Sequence, residues 1–342
     1  MDDDAILLYI RDGRTEAVLI QAGRPVEWSV QGDFALNDVF LGICGAYHEG
    51  LAGTFVRIGP DCNALLPAAG APAGLAPGRR LPVQIRRLRD EAAKGPVADA
   101  RIRLPGRYAV DMPDGRSIRR SVLASMEPEE AERCFRREEK NLQLERRRIL
   151  TEAESGPAPR CLRRFGDPVS IALREWGREA PIHVEGLELY REVSERAQDP
   201  DIRRRLCLAV PDPRGGLWTE YGLEQAWRER AAESVALRCG GNIRIERTHA
   251  LVAVDVNSGR AEADGPERLA RRVNIEAAVE AARQMRLRNL SGILFVDFLR
   301  TDEAGREEIL SLLKAETSRD KGKVRIEGFT RLGLLEMTRN GV

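Results

Sequence analysis

Three residues of this sequence combine types and spacing that can do chemistry together. Asp255 and Asn257 close the apolar run Ala250-Leu-Val-Ala-Val-Asp255-Val-Asn257-Ser258-Gly259, and Asp297 closes a second run, Gly292-Ile-Leu-Phe-Val-Asp297-Phe298. In an extended chain residues i and i+2 share a face, so Asp255 and Asn257 point the same way. Two carboxylates and an amide with little apolar cover suit a hard, oxygen-loving cation such as Mg²⁺. The structural alternative is that each Asp merely caps the turn or helix that follows its strand. No Gly-x-x-x-x-Gly-Lys-Ser/Thr loop is present, which argues against an NTPase despite the Walker-B-like Phe295-Val-Asp297.

These residues need a scaffold, and the flanking sequence supplies one. Two short aliphatic runs on either side of a long charged, amphipathic segment read as a βαβ unit with parallel, buried strands. In such units chemistry gathers at the carboxyl ends of the strands. Adjacent strands would therefore bring Asp255 and Asp297 together. The connecting helix, 266–288, carries Leu269, Val273, Ala277, Ala281 and Met285 on the face expected to meet the sheet. Arg283, Arg286 and Arg288 are expected on or near its exposed end. A helix over 302–318, a strand over 324–328 and the segment Thr330-Arg331-Leu-Gly333-Leu-Leu-Glu336-Met337-Thr338-Arg339 complete this region.

The identities go beyond the pattern. Val-Asp255-Val-Asn257-Ser258-Gly259, Asn274-Ile-Glu276-Ala-Ala278, Ala282-Arg-Gln284-Met-Arg286-Leu-Arg288-Asn-Leu290, Val296-Asp297-Phe298 and the Thr330–Arg339 segment together resemble the catalytic core of the ribonuclease E/G family, in its order and near its spacing. The resemblance implies an α/β multi-subdomain protein. It would comprise a split RNase H-like subdomain, an inserted OB-type RNA-binding β-barrel and a DNase I-like α/β catalytic subdomain. It implies an endoribonuclease that uses Mg²⁺, or Mn²⁺ in its place, to cleave single-stranded RNA in rRNA maturation or mRNA decay, leaving 5′-phosphate and 3′-hydroxyl ends. Asp255 and Asp297 would hold the ion, Asn257 would orient a carboxylate or the phosphate, and Arg331 would neutralise developing charge. Arg286 and Arg288, with Arg119 and Arg120 of a basic stretch, would track the RNA backbone. Phe55 matches an RNA-facing aromatic of the barrel and Lys94-Gly95 its basic loop, whereas the second expected aromatic falls at Leu65. A core position for Phe55 is the competing reading.

The rest of the chain is read around that core. Residues 5–30 suggest an antiparallel meander with a hairpin at Arg11-Asp12-Gly13-Arg14. Five short strands at regular spacing then suit an OB-type barrel. The expected divisions are 1–32 and 156–247 for the split subdomain, 33–105 for the barrel and 248–342 for the catalytic part. Between them, 106–155 is where the family carries a 5′-monophosphate sensor built on an Arg-Thr pair. That motif is missing here, and alternating acid and base, the mark of a solvated helix face, stands in its place.

Composition narrows the classes. The 342 residues are 42% hydrophobic and 32% charged with a net charge of +1, so any nucleic-acid contact must come from local basic clusters rather than overall charge. No apolar run reaches membrane-spanning length, and the acidic Met1-Asp-Asp-Asp start is unlike a signal peptide. A cytoplasmic protein is expected. The six cysteines form no Cys-x-x-Cys pair, and the family's zinc-sharing cysteines beyond the Thr330–Arg339 segment are missing. No zinc is therefore expected, and a monomer or homodimer is expected rather than a zinc-linked tetramer. Two other functions stay open at this stage. One is an RNA-binding homologue with little or no nuclease activity, favoured by Leu65 and the shortened sensor region. The other is a metal-dependent phosphatase, which the barrel argues against.

Overall fold

Two hairpins open the chain. In a computed structural model, which describes residues 4–88, 95–176, 180–318 and 320–341, Ala5–Arg11, Arg14–Gln21 and Arg24–Val30 form an antiparallel meander. Its first two turns place Asp12-Gly13 and Ala22-Gly23 at positive φ, the backbone that matches the twist of a tight hairpin. Ile182–Glu185 pairs parallel to the first strand and Leu206–Ala209 parallel to that, giving a five-stranded mixed sheet. The short helix Pro200–Arg203 ends before this last strand, and the chain then extends to pair with 182–185.

Contacts divide the chain into two units, Met1–Ser29 with Gly177–Val342, and Val30–Trp176. The second sheet of the first unit runs in the order Ser234–Ala236, Asn242–Arg247, Leu251–Asn257, Gly292–Asp297, Leu335–Arg339, Val324–Phe329. Only its central pair, 251–257 and 292–297, is parallel. The helix Pro266–Leu287 joins that pair, as the βαβ reading requires. It seats Val273, Ala277, Ala281 and Met285 in one core with Val252, Val254, Val256, Leu294 and Val296. The helix Glu303–Thr317, capped by Asp302 accepting from the Gly305 N–H at 2.9 Å, adds Ile309 and Leu313.

One expectation is corrected here. Parallel strands were expected to be buried throughout, yet along 251–257 only alternate residues are, and Asp255 and Asn257 are exposed. Helices cover one face of this sheet, so its other face keeps the half-buried alternation of an open sheet.

In the second unit Val39–His48, Gly53–Arg57, Asn63–Pro67, Val97–Asp99 and Arg80–Arg87 form a closed five-stranded, OB-like barrel. Pairing of Val39–Ile43 with Arg80–Gln84 closes it. Arg160–Arg163 adds to the 39–48 strand. Gln84, fully buried, bonds the Asn37 and Arg103 carbonyls and the Arg103 N–H. The charged stretch after the barrel is a 27-residue helix, Pro128–Glu154. One face is solvated as expected, while Ala131, Phe135, Leu142 and Ile149 pack with Leu104 and Tyr108. Among the described residues no helix is long and apolar enough to cross a membrane.

Candidate active site

The register of the central strand pair decides the site. Asp255 lies directly opposite Asp297 across parallel strands, which run about 4.8 Å apart. Both side chains are exposed and alternate with buried Val254, Val256 and Val296, so both project from the open face. Asn257, on the same face, donates from Nδ2 to Asp255 Oδ2 at 2.8 Å. The following turn depends on Gly259. It has φ +53°, and a Cβ there would meet the Gly240 carbonyl oxygen at 2.6 Å. No L side chain fits that approach comfortably.

The two acids open into a cleft of about 470 Å³, also lined by Arg300, Thr301, Arg306, Phe329, Arg331 and Leu332. Arg331 and Leu332 sit in the hairpin turn between 324–329 and 335–339. That turn is held by Thr330, whose N–H donates to the Leu334 carbonyl at 2.8 Å and whose Oγ1 accepts from the Leu334 N–H. Strand 335–339 pairs with 292–297, with Leu335 opposite Val296. This pairing delivers the turn to the end of the sheet that carries Asp297.

Behind the cleft, Asn274 is a residue whose role the sequence does not reveal. It is 1% exposed. Its Nδ2 donates to the Leu299 carbonyl at 2.8 Å and its Oδ1 accepts from the Leu299 N–H at 2.9 Å. One side chain thus continues the ladder beyond the strand end and fixes the segment that follows Asp297. From the same helix Glu276 accepts from the Cys239 N–H, steadying the loop against which Gly259 turns.

Among the described residues no three His, Cys, Asp or Glu side chains cluster in a way that could hold a metal ion. The donor set here is therefore two carboxylates with an adjacent amide. That set fits Mg²⁺, which keeps several of its waters and commonly takes one or two protein carboxylates.

A model of the ribonuclease E/G family matches residues 117–342, a stretch that contains Asp255, Asn257, Asp297 and Arg331. The chain belongs to that family. Ribonuclease E of Nostoc sp. is 29% identical to it over 90% of this chain and 51% of that protein. Ribonuclease E of Escherichia coli is 33% identical over 56% of this chain and 18% of its own length. Ribonuclease G of Escherichia coli is 41% identical over 32% of this chain and 23% of its own length. This ribonuclease E/G family chain thus spans about half the length, or less, of these curated relatives.

The residues read from sequence as RNA contacts separate in this family member. Phe55 is on the outer surface of the barrel at 36% exposure, not in its core. It stands opposite Leu65 in register and edge-on to His48, with ring centroids 5.3 Å apart. Neighbouring Tyr47 and Leu51, which the sequence reading passed over, are more than half exposed. Arg119 is half-exposed, paired with Glu132 at 2.7 Å and stacked over Phe135. Arg120 is committed to Glu175 at 2.7 Å and to the Gly106 carbonyl at 2.6 Å. Lys94 lies outside the described residues.

The basic track expected at the end of helix 266–287 is corrected. Arg286 is 8% exposed, with Nη2 donating to Glu27 Oε1 at 2.7 Å and Nη1 to Gln21 Oε1 at 3.1 Å. Arg283 is also buried, bonded to Glu280, Glu229 and the Pro25 carbonyl. Arg288 donates to the Ala232 and Glu229 carbonyls, closing the end of helix Leu223–Ala231. These guanidiniums fasten the helix to its neighbours, so they are not free for phosphate. Arg300 and Arg306, unmarked by any motif, face the cleft together with Arg331.

Proposed function

We propose that this chain is a metal-dependent endoribonuclease acting on single-stranded RNA, of the class that serves rRNA maturation and mRNA decay in the cytoplasm. The reading is carried by one observation: Asp255 and Asp297 sit side by side on an open sheet face, in a cleft whose other charged lining is arginine. Asp255 and Asp297 would hold Mg²⁺ or Mn²⁺. When bound, such an ion polarises the scissile phosphate and makes hydroxide available near neutral pH. Asn257 holds Asp255 in one orientation by donating to its Oδ2. Arg331 donates to the phosphate oxygens, where negative charge develops during in-line attack. The products carry 5′-phosphate and 3′-hydroxyl ends. In this reading 1–32 and 156–247 form the RNase H-like subdomain, 33–105 the RNA-binding barrel, 106–155 the reduced sensor region and 248–342 the DNase I-like part. The test is incubation of a 5′-labelled single-stranded RNA with the protein, with and without Mg²⁺, beside Asp255→Asn. Discrete internal cuts that need both the ion and Asp255 are expected. Binding without cutting under all conditions would replace the nuclease by an RNA-binding homologue.

The surface position of Phe55 supports a stacking role. Phe55→Ala is expected to weaken single-stranded RNA binding by about 1–3 kcal/mol, with little change in melting temperature because the ring is not part of the barrel core. A binding loss that merely follows a lower melting temperature would make Phe55 a packing residue.

Asn274 is expected to act on the site through Leu299. Asn274→Asp keeps the size but sets a carboxylate oxygen against the Leu299 carbonyl, and displacement of the adjoining segment by as little as 1 Å can cost about 10²-fold in rate. A fall in kcat with KM little changed is expected, measured on protein whose near-ultraviolet circular dichroism is native. Equal losses of kcat and native signal would reduce Asn274 to a fold residue.

A further inference from the structure

The cleft carries more positive charge than one phosphodiester can use. Its charged lining is Asp255 and Asp297 on one side, and Arg300, Arg306 and Arg331 on the other. Once a divalent ion neutralises the two acids, three guanidiniums face a single phosphodiester charge. Buried guanidiniums in this unit have dedicated carboxylates or carbonyls, as Arg283, Arg286 and Arg339 do. Arg300 is different: it is exposed, and no side-chain hydrogen bond or ion pair holds it among the described residues. Arg306 has only a 3.9 Å approach to Glu303, which is itself 81% exposed. An exposed pair of that length contributes little and yields readily to a better anion. The Arg306 guanidinium also lies over the Phe329 ring at 5.3 Å, which orients it without neutralising it.

Position reinforces charge. Arg300 and Thr301 lie on the segment that continues from Asp297, pinned at Leu299 by Asn274. Arg306 projects from the first turns of the helix starting at Glu303. Arg331 comes from a different element, the turn 330–334. The two groups of cations therefore reach the cleft from separate supports. At about 470 Å³ it falls within the roughly 300–1,000 Å³ of pockets that enclose ligands larger than one phosphate. Planar guanidiniums with free donors recognise phosphate oxygens two at a time.

We propose that Arg300 and Arg306 form a second phosphate subsite, which holds the RNA backbone phosphate next to the one facing Asp255 and Asp297. The inference rests on the nuclease reading for its choice of ligand, but its test does not need cleavage. Both residues act by binding: they set the strand's register in the cleft and bring it there without help from the metal.

The experiment is equilibrium binding of a labelled single-stranded RNA in EDTA, with the RNA checked intact on a gel, for the wild type, Arg300→Gln, Arg306→Gln and the double variant. Each single variant is expected to weaken binding about tenfold. The double variant should also flatten the dependence of log affinity on log salt by about 0.7, the share of one phosphate contact on a single strand. A series of RNAs with one neutral methylphosphonate linkage at successive positions then locates the contact. One internal linkage should weaken the wild type as much as the double variant is weakened, and should cost the double variant nothing further. Wild-type affinity in both single variants, with a wild-type salt slope in the double variant, would overturn the proposal. So would sensitivity that follows only the presence of a 5′-terminal phosphate, since the ligand would then be a chain end. If the variants lose binding as expected while the wild type cuts no RNA in Mg²⁺, the subsite stands and the nuclease reading falls.

Discussion

Asp255→Ala and Asp297→Ala are each expected to lower Mg²⁺-dependent RNA cleavage by about 10²-fold or more. Each removes one of two anionic oxygen donors from a site where no third acid, histidine or cysteine converges among the described residues, so little is left to hold the ion or the charge it stabilises. Both side chains are exposed on the open sheet face, and exposed substitutions away from caps and networks usually change stability by about 0.5 kcal/mol or less. Activity should therefore fall without unfolding. The check is a cleavage time course over a Mg²⁺ titration together with a thermal melt of each variant. Near-wild-type rates in both would mean that the acids only terminate their strands. Asn257→Ala should cost less, since it frees Asp255 without removing a ligand.

The second large effect is on stability. Glu27 is a buried carboxylate that accepts from Arg286 and pairs with Lys321. Arg286→Ala strips one cation from it and leaves Gln21 without its donor, and breaking a buried pair from one side typically costs about 3–5 kcal/mol. The variant should melt lower, with the loss read by urea unfolding. Glu27→Gln on the Arg286→Ala background should not recover it, because Lys321 still compensates the carboxylate there. The same pair sets a pH dependence. Burial alone would raise the Glu27 pKa, but Lys321 and Arg286 override it and hold the carboxyl below its usual range. A carboxyl depressed in the folded state contributes stability that is fully present above its unfolded pKa of about 4.3. That contribution disappears as pH falls through the lower folded value. Wild type should therefore lose stability on acidification below about pH 4, and Glu27→Gln should lose less over the same range. Equal acid sensitivity in the two proteins would mean that Glu27 is not held ionised in the fold.

The elements around the site were legible because their signals are local. The Asp12-Gly13 turn and the amphipathic helix 266–287 both depend on neighbours a few residues away. The short strands of the barrel show the same way. Spacing also implied the pairing of Asp255 with Asp297, because a βαβ unit makes its strands adjacent and leaves little freedom of register.

The arginines show where that legibility stops. Arg283 and Arg286 look like the solvated end of an amphipathic helix, since periodicity reports which residues are apolar and not what covers the polar ones. Their partners Pro25 and Glu27 lie more than 250 positions away, and no local pattern registers a salt bridge of that separation. Arg300 and Arg306 carry no motif for the opposite reason. Their role comes from facing a cleft whose far wall is built by the 330–334 turn. By itself the sequence determined which residue types stand at the carboxyl ends of the two central strands and which secondary elements hold them, because both follow from side-chain type and short-range spacing. Only the tertiary structure decided which cations are spent on holding the fold and which stay free for a phosphate, because that depends on burial and on partners brought together by long-range packing.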